Sequence, residues 1–162
     1  MKELVLVKNN SLVVFMTMFF VAFITPLLFN QQIVVGSIVN ATLFLTTMFL
    51  GFRYGAVVGI LPSTIALSTG LLPFSVMVPF IMLANIILVF SFYCLKERSY
   101  WFAVTFSAFF KFSFLSLAVF FVLEAFPFNN IASQMFLMMG WMQLLTALLG
   151  GVLAFVYIKT TS

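Results

Sequence analysis

The chain has 162 residues and a formal net charge of +4; 65% of its residues are hydrophobic and only 6% are charged. Soluble domains carry about 25% charged residues, so a water-exposed globular surface is excluded. The basic residues are scattered, which excludes the basic stripe of a nucleic-acid-binding protein. The composition instead indicates an integral membrane protein with a single domain, residues 1–162, and no room for a separate soluble domain.

Three predicted helices occupy the first half of the chain, and polar residues, glycines and prolines separate them. The first covers residues 11–29 and the second covers residues 33–50. The third, residues 55–68, is short and contains Pro62. The first two stretches are close to the roughly 20 apolar residues that cross a bilayer as a helix, and the third is shorter.

The second half of the chain follows the same pattern. The fourth predicted helix, residues 74–95, has Pro79 near its start, and the fifth covers residues 100–123. A polar connection, residues 124–130, precedes the sixth helix at residues 132–158. The sequence therefore predicts an all-α integral membrane protein with six transmembrane helices.

The basic residues predict how these helices are oriented. If the N-terminus lies inside, every basic residue outside the helices falls on the cytoplasmic side: Lys2, Lys8, Arg53, Lys96, Arg98 and Lys159. Lysine and arginine are enriched in cytoplasmic loops, so both ends of the chain are predicted to be cytoplasmic. Five or seven helices would scatter the same residues over both faces.

The residue inventory argues against catalysis. The sequence contains no His and no Asp, so His-based metal centres and Ser-His dyads are excluded. Its glutamates, Glu3, Glu97 and Glu124, lie at an end or in predicted loops. It has no Gly-rich loop that would bind a nucleotide. We therefore expect a protein that is not an enzyme, has no cofactor or metal, and needs a partner if it drives active transport.

Lys111 stands out because it lies inside a predicted helix. It is about eleven residues into the fifth helix, which at about 1.5 Å per residue is close to the middle of the membrane. A lysine at this depth costs about 2.5–3.5 kcal/mol on insertion scales, and the sequence offers no intramembrane acid to pair with it. Its ammonium is expected either to bind an anionic group of a ligand or to be satisfied structurally, by amides, carbonyls or water.

Three amide side chains are predicted at a depth similar to that of Lys111. They are Asn40 in the second helix, Asn85 in the fourth and Gln143 in the sixth. One such amide usually joins helices, but four polar groups from four helices favour a shared site. We therefore predict that Lys111, Asn85, Asn40 and Gln143 bind a substrate, for which a carboxylate-bearing molecule is suitable. A metal-ion substrate is disfavoured because His and Asp ligands are absent.

Small residues recur at helical spacing in the third and sixth predicted helices. They are Gly55, Gly59, Ser63, Ala66 and Gly70, and then Gly140, Ala147, Gly151 and Ala154. Small residues at this spacing let helix backbones approach closely. They predict packing within the bundle or, alternatively, docking onto another membrane subunit.

Between residues 36 and 89, and again in the fifth helix, a series of Gly, Pro and Asn positions resembles the substrate-binding (S) components of energy-coupling factor (ECF) transporters, a type of ABC transporter. The motifs are Gly36-Ser37-Ile38-Val39-Asn40-Ala41, Gly51 and Gly55 around a basic turn, Leu61-Pro62-Ser63, Gly70-Leu71-Leu72-Pro73, Pro79-Phe80-Ile81-Met82-Leu83-Ala84-Asn85, and Lys111-Phe112. The resemblance covers the second to fifth helices, and the first and sixth match by size and topology.

The resemblance implies a six-helix protein in the bacterial cell membrane that captures a small, vitamin-like molecule. It also implies partners, namely a transmembrane coupling subunit and cytoplasmic ATPases. Family members commonly dock through small residues on the first helix, whereas this helix has Ser11, Phe15 and Phe19 at that spacing; the third helix is the alternative docking surface. The alternative function is a membrane scaffold of the MreD type, which takes no substrate.

Overall fold

The computed structural model describes residues 11–69, 75–125 and 132–161, and apart from short connections this part of the chain is helical. Its six helices are α1 (Ser11–Leu28), α2 (Gln32–Leu50), α3 (Phe52–Ser68), α4 (Val78–Leu95), α5 (Tyr100–Ala125) and α6 (132–161). A 3₁₀ turn, Ser75–Met77, leads into α4. The prediction of an all-helical protein is confirmed for the described residues.

The sixth helix, α6, has three consecutive parts. It begins as a short α-helix, Ala132–Phe136, continues through a π-helical turn, Leu137–Trp141, and ends as a long α-helix, Met142–Thr161. Gln32 Nε2 donates a hydrogen bond of 2.9 Å to the carbonyl of Met138 in the π-helical turn. The beginning of α2 is therefore fastened to the beginning of α6.

The start of α3 lies three residues before the predicted position, because a single residue, Gly51, reverses the chain. Gly51 has φ +91°, a conformation that glycine adopts without the steric cost other residues meet. Its N–H donates to the Thr47 carbonyl at 3.2 Å, and its carbonyl accepts from the Gly55 N–H at 3.3 Å. One glycine thus closes α2 and opens α3.

Five helices form a closed ring in the order α2, α3, α4, α5, α6, and α1 lies outside it against α2 and α3. The connections from α1 to α2, α2 to α3 and α4 to α5 are short, so each of these pairs is antiparallel. Within the ring, α2 runs parallel to α6 and packs closely against it, with Gly36 beside Thr146 and Gly150 beside Asn40.

The interior of α2 is rich in hydroxyl groups that bond within the helix. Ser37, Thr42, Thr46 and Thr47 each donate to the carbonyl four residues earlier, at 2.7–2.8 Å. All four side chains are buried. Because each hydroxyl has a partner in its own helix, these residues pack against neighbouring helices as compact, mostly apolar groups.

The bundle has two chemically different ends. The basic end comprises the α2–α3 turn, the α4–α5 turn and the end of α6, and it carries every described basic residue except Lys111: Arg53, Lys96, Arg98 and Lys159. The far end comprises the α1–α2 connection, the ends of α3 and α5 and the start of α6, and it carries Glu124. Lys2 and Lys8, which also entered the predicted orientation, lie outside the described residues.

Several helices suit a membrane. Five are long and apolar enough to cross one by length and composition, with the fourth counted as Ser75–Leu95 and the sixth as Gln134–Thr161. The remaining helix, α3, is apolar but has only 17 residues. Large apolar side chains such as Phe20, Phe109 and Trp141 are exposed on the outside of the bundle. These features suggest a multi-pass membrane protein, and the count of six spans stays a prediction.

The small residues of α3 and α6 face the inside of the bundle. Those that the structure describes are buried: Gly55, Gly59, Ser63 and Ala66 in α3, and Gly140, Ala147, Gly151 and Ala154 in α6. Gly70 lies outside the described residues. The stripes therefore serve internal packing, and the proposal that the small residues of α3 form a docking surface is wrong for residues 55–66.

Candidate ligand site around Lys111

The ammonium of Lys111 joins three helices. Lys111 lies in α5 and its side chain is 2% exposed. Its Nζ donates one hydrogen bond to Asn40 Oδ1 in α2 and another to Asn85 Oδ1 in α4, each of 2.8 Å. The structure thus brings together three of the four residues predicted from the sequence as a site.

Each of the two amides is held with its oxygen toward the ammonium. Asn40 Nδ2 donates to Thr146 Oγ1 at 3.3 Å, and Asn85 Nδ2 donates to the Gly59 carbonyl at 2.8 Å. An amide nitrogen can only donate, so bonding it to an acceptor fixes the opposite orientation of the carbonyl oxygen. Thr146 and Gly59 therefore act through the amides to preorganise the position of the ammonium.

The positive charge of Lys111 has no negative partner among the described residues. The two described acids, Glu97 and Glu124, are exposed in the α4–α5 turn and near the end of α5. The ammonium is held by neutral amide oxygens alone, in surroundings of low polarity. Hydrogen bonds to neutral groups lower the free energy of a buried cation less than an anion does, so a negative charge placed beside the ammonium would be electrostatically favourable.

A cavity of ≈ 60 Å³ lies between five helices, with Lys111 among its lining residues. It extends toward the far end, because Gln32 begins α2 and Ala66 lies near the end of α3. The lining residues are Gln32, Val35, Gly36, Val39, Asn40, Pro62, Ser63, Ala66, Ile81, Asn85, Lys111 and Gln143. A volume of this size is well above the roughly 15 Å³ that a cavity needs to hold one water molecule, so it admits water or a very small ligand.

All four predicted site residues line this one cavity. Gln143 is half-buried, and its side-chain amide makes no hydrogen bond within the described part of the chain. The polar connection that the sequence predicts at residues 124–130 lies outside the described residues except for its first two positions. The residues that line the cavity all belong to the described helices α2 to α6.

Three residues that shape this site are not predicted from the sequence: Gln32, Ser63 and Thr146. The sequence pattern predicts that the second helix begins at residue 33, but α2 begins at Gln32, and the Gln32 side chain lines the cavity. Ser63 belongs to a stripe of small residues in the sequence, and that pattern suggests helix packing and gives no sign that its hydroxyl lines a cavity. Thr146 follows Gln143 at a spacing of three, and this shared helix face is the signal that would have linked it to the site.

Close helix packing positions the amides. A Cβ atom on Gly150 would lie 2.7 Å from Asn40 Cβ and 2.8 Å from the backbone nitrogen of Ala41. A Cβ atom on Gly59 would lie 3.2 Å from Asn85 Cβ. Glycine at these two positions lets α6 and α3 approach the helices that carry Asn40 and Asn85.

Fold and site together define a helical bundle with a cationic group buried beside a cavity. No family model, no curated protein and no solved structure matches the chain. The chemistry of the site is therefore the basis for a functional proposal.

Proposed function

We propose that this protein is the substrate-capture subunit of an energy-coupling factor transporter and that it binds a small, vitamin-like anion in the cavity beside Lys111. The observation that carries this proposal is the Lys111 ammonium, which is 2% exposed, bonded to two neutral amides and adjacent to a cavity. Burying a charge without a counterion is unfavourable, and a ligand anion would remove that penalty.

Size limits what the cavity holds in the described state. Sites for drug-sized ligands measure about 300–1,000 Å³, several times the ≈ 60 Å³ between the described helices. A vitamin-like ligand therefore requires the far end to widen, whereas a very small acid does not. Binding is accordingly expected to involve a change in the positions of the ring helices.

The membrane arrangement in this proposal is six spans with both chain ends in the cytoplasm of a bacterial cell. Its support is the position of the described basic residues other than Lys111 at one end, together with a cavity that extends toward the other end. Positive residues favour the cytoplasmic side, so the cavity would face the exterior, as uptake requires.

Reporter fusions test this orientation. Fusions after Lys8, Arg53, Lys96 and Lys159 are expected to give a cytoplasmic signal, and a fusion after Asn129 an external one, because the basic end would stay inside. Alkaline phosphatase and green fluorescent protein, used as a pair, report the two sides. An external signal at Arg53 or Lys96 would contradict the six-span arrangement.

The energy for uptake would come from partners, because the sequence lacks a nucleotide-binding loop. The proposed partners are a transmembrane coupling subunit and cytoplasmic ATPases. We expect uptake by cells that express this chain to stop when the ATPases are inactivated by substitution, while ligand binding to the purified chain persists. Sustained accumulation by the chain alone in sealed vesicles would contradict this dependence.

One observation favours a second candidate, a membrane scaffold of the MreD type. The two hydrogen bonds of Lys111 already give its ammonium a structural place without any ligand. A scaffold would show no binding that depends on Lys111, whereas a capture subunit would. The same variant therefore distinguishes the two functions.

A further inference from the structure

We propose that the cavity selects a ligand whose buried end carries a single negative charge, a monocarboxylate, and that Ser63 is a second contact to this ligand. This inference rests on the proposed capture function and specifies the chemical class of its ligand. It follows from the charges and the unpaired polar groups around the cavity.

The charge count around the cavity is one. Among the described residues, Lys111 is the one charged side chain that lines it, and the other lining side chains are neutral. In the sequence, residues 29–31, 70–74 and 126–131, which stand between successive helices, contain no charged residue. Within the described part of the chain, no second cation therefore lies at the cavity to neutralise a further negative charge on a ligand.

This count discriminates between classes of ligand. A monocarboxylate bound to Lys111 forms a pair with no net charge. A phosphate ester carries a charge of about −1.5 to −2. Either a phosphate ester or a dicarboxylate, bound beside one ammonium, would leave negative charge uncompensated in a low-dielectric site. A cationic ligand would be repelled by the ammonium. A ligand with a neutral amide would offer the ammonium only an uncharged acceptor, which binds more weakly than a carboxylate.

Ser63 supplies the second contact because its hydroxyl is free. Its side chain is 3% exposed, lines the cavity and makes no hydrogen bond within the described part of the chain. Other helical serines here, such as Ser37 and Ser107, donate to the carbonyl four residues earlier. For Ser63 that carbonyl belongs to Gly59, which already accepts from Asn85. The Ser63 hydroxyl is left to donate into the cavity.

The position of Ser63 suits contact with a ligand whose carboxylate is bound beside Lys111. Asn85, which bonds Lys111, also bonds the carbonyl of Gly59, and Ser63 lies one helical turn beyond Gly59 toward the far end. One turn corresponds to about 5.4 Å along α3. A carboxylate bound to Lys111 would therefore lie closer to the basic end than the Ser63 hydroxyl. The hydroxyl would then donate to the second carboxylate oxygen or to a neutral polar group of the ligand.

Four small probes test the selection by charge: propionate, propionamide, malonate and methyl phosphate. They are compared at matched ionic strength and near pH 7, where malonate and methyl phosphate are mostly dianions, by calorimetric titration of the purified chain in nanodiscs. We expect propionate to bind at least about tenfold more tightly than each of the others. In Lys111→Met this preference is expected to disappear.

Ser63→Ala and Ser107→Ala form a matched pair for the second contact. Ser107 is also a fully buried serine, but its hydroxyl bonds to Ala103 and Val104 and it does not line the cavity. We expect Ser63→Ala to weaken propionate binding by about three- to tenfold and Ser107→Ala to leave it unchanged. Equal affinities in the two variants would overturn the role of Ser63.

The outcomes separate this inference from the proposed function. Malonate or methyl phosphate bound as tightly as propionate, in a manner that depends on Lys111, would overturn the single-charge selection and leave anion capture standing. Preferred binding of propionamide, or no probe binding that depends on Lys111, would overturn both.

Discussion

Lys111→Met is expected to lower the affinity for the natural ligand by about ten- to more than a hundredfold. A hydrogen bond that involves a charged group contributes about 1.5–3 kcal/mol, and this substitution removes the ammonium that would make it. Methionine keeps much of the apolar stem, so the contacts of α5 with its neighbours are largely preserved. The ligand would be identified by mass spectrometry of small molecules retained by the purified protein, and its affinity then measured by titration.

The helical fold is expected to survive this change because two effects oppose one another. Removing the ammonium leaves two buried amide oxygens without their donor, at a cost of about 1–3 kcal/mol each. It also removes a burial penalty of about 2.5–3.5 kcal/mol for the charge itself. Circular dichroism and thermal unfolding would verify that the variant is folded before its affinity is interpreted.

Two control variants make the result specific. Lys111→Arg keeps the charge but changes its shape, and Lys96→Met removes a lysine at the basic end, where it lies over the ring of Tyr93. Lys96→Met is expected to bind ligand like the wild type. Unchanged affinity in Lys111→Met would remove this residue from the site and leave it with a structural role, as in a scaffold.

Gly150→Ala is expected to destabilise the folded protein by about 3 kcal/mol or more. Adding a methyl group to a well-packed core typically costs about 1–3 kcal/mol, so this cost is at or above the top of that range. The new Cβ would lie 2.8 Å from the Ala41 nitrogen and 2.9 Å from the Ser37 carbonyl oxygen. Both are backbone atoms of α2 and have no rotamer to move to, so α6 must shift away from α2. Thermal unfolding in detergent, with the yield of monodisperse protein, measures the effect.

Gly140→Ala is the matched control. A Cβ atom there would lie 3.6 Å from the Phe112 ring and from Ser116 Oγ, which is an ordinary contact distance. We expect this variant to unfold at nearly the same temperature as the wild type. Similar melting temperatures for the Gly150 and Gly140 variants would contradict the close α2–α6 packing.

The positions of the helices could be predicted from the sequence because long apolar runs and polar breaks are local signals. The ring could not, since it depends on which helix faces meet. Nothing in the hydropathy of residues 11–29 distinguishes α1, which lies outside the ring, from the helices that form it. The early start of α3 was also hidden, because a reversal at Gly51 alone depends on a backbone angle that no pattern shows.

Much of the site was predictable for an energetic reason. Polar groups in an apolar interior must find partners, so Lys111, Asn40 and Asn85 were expected to lie close together. The orientation of the Ser63 hydroxyl had no such signal. It depends on Asn85 occupying the Gly59 carbonyl, a contact between helices that are separate in sequence.

The hydroxyl groups of α2 bear on how this chain would enter a membrane during synthesis. Four of them are satisfied inside the helix, whereas Asn40 bonds only to Lys111 and Thr146, in helices made later. In a bilayer, before α5 and α6 are made, the interior of α2 would therefore expose one unpaired amide, that of Asn40, instead of five unpaired polar side chains. The helix α2 would thus carry little unsatisfied polarity into the bilayer, and its bonds to other helices would form when α5 and α6 arrive.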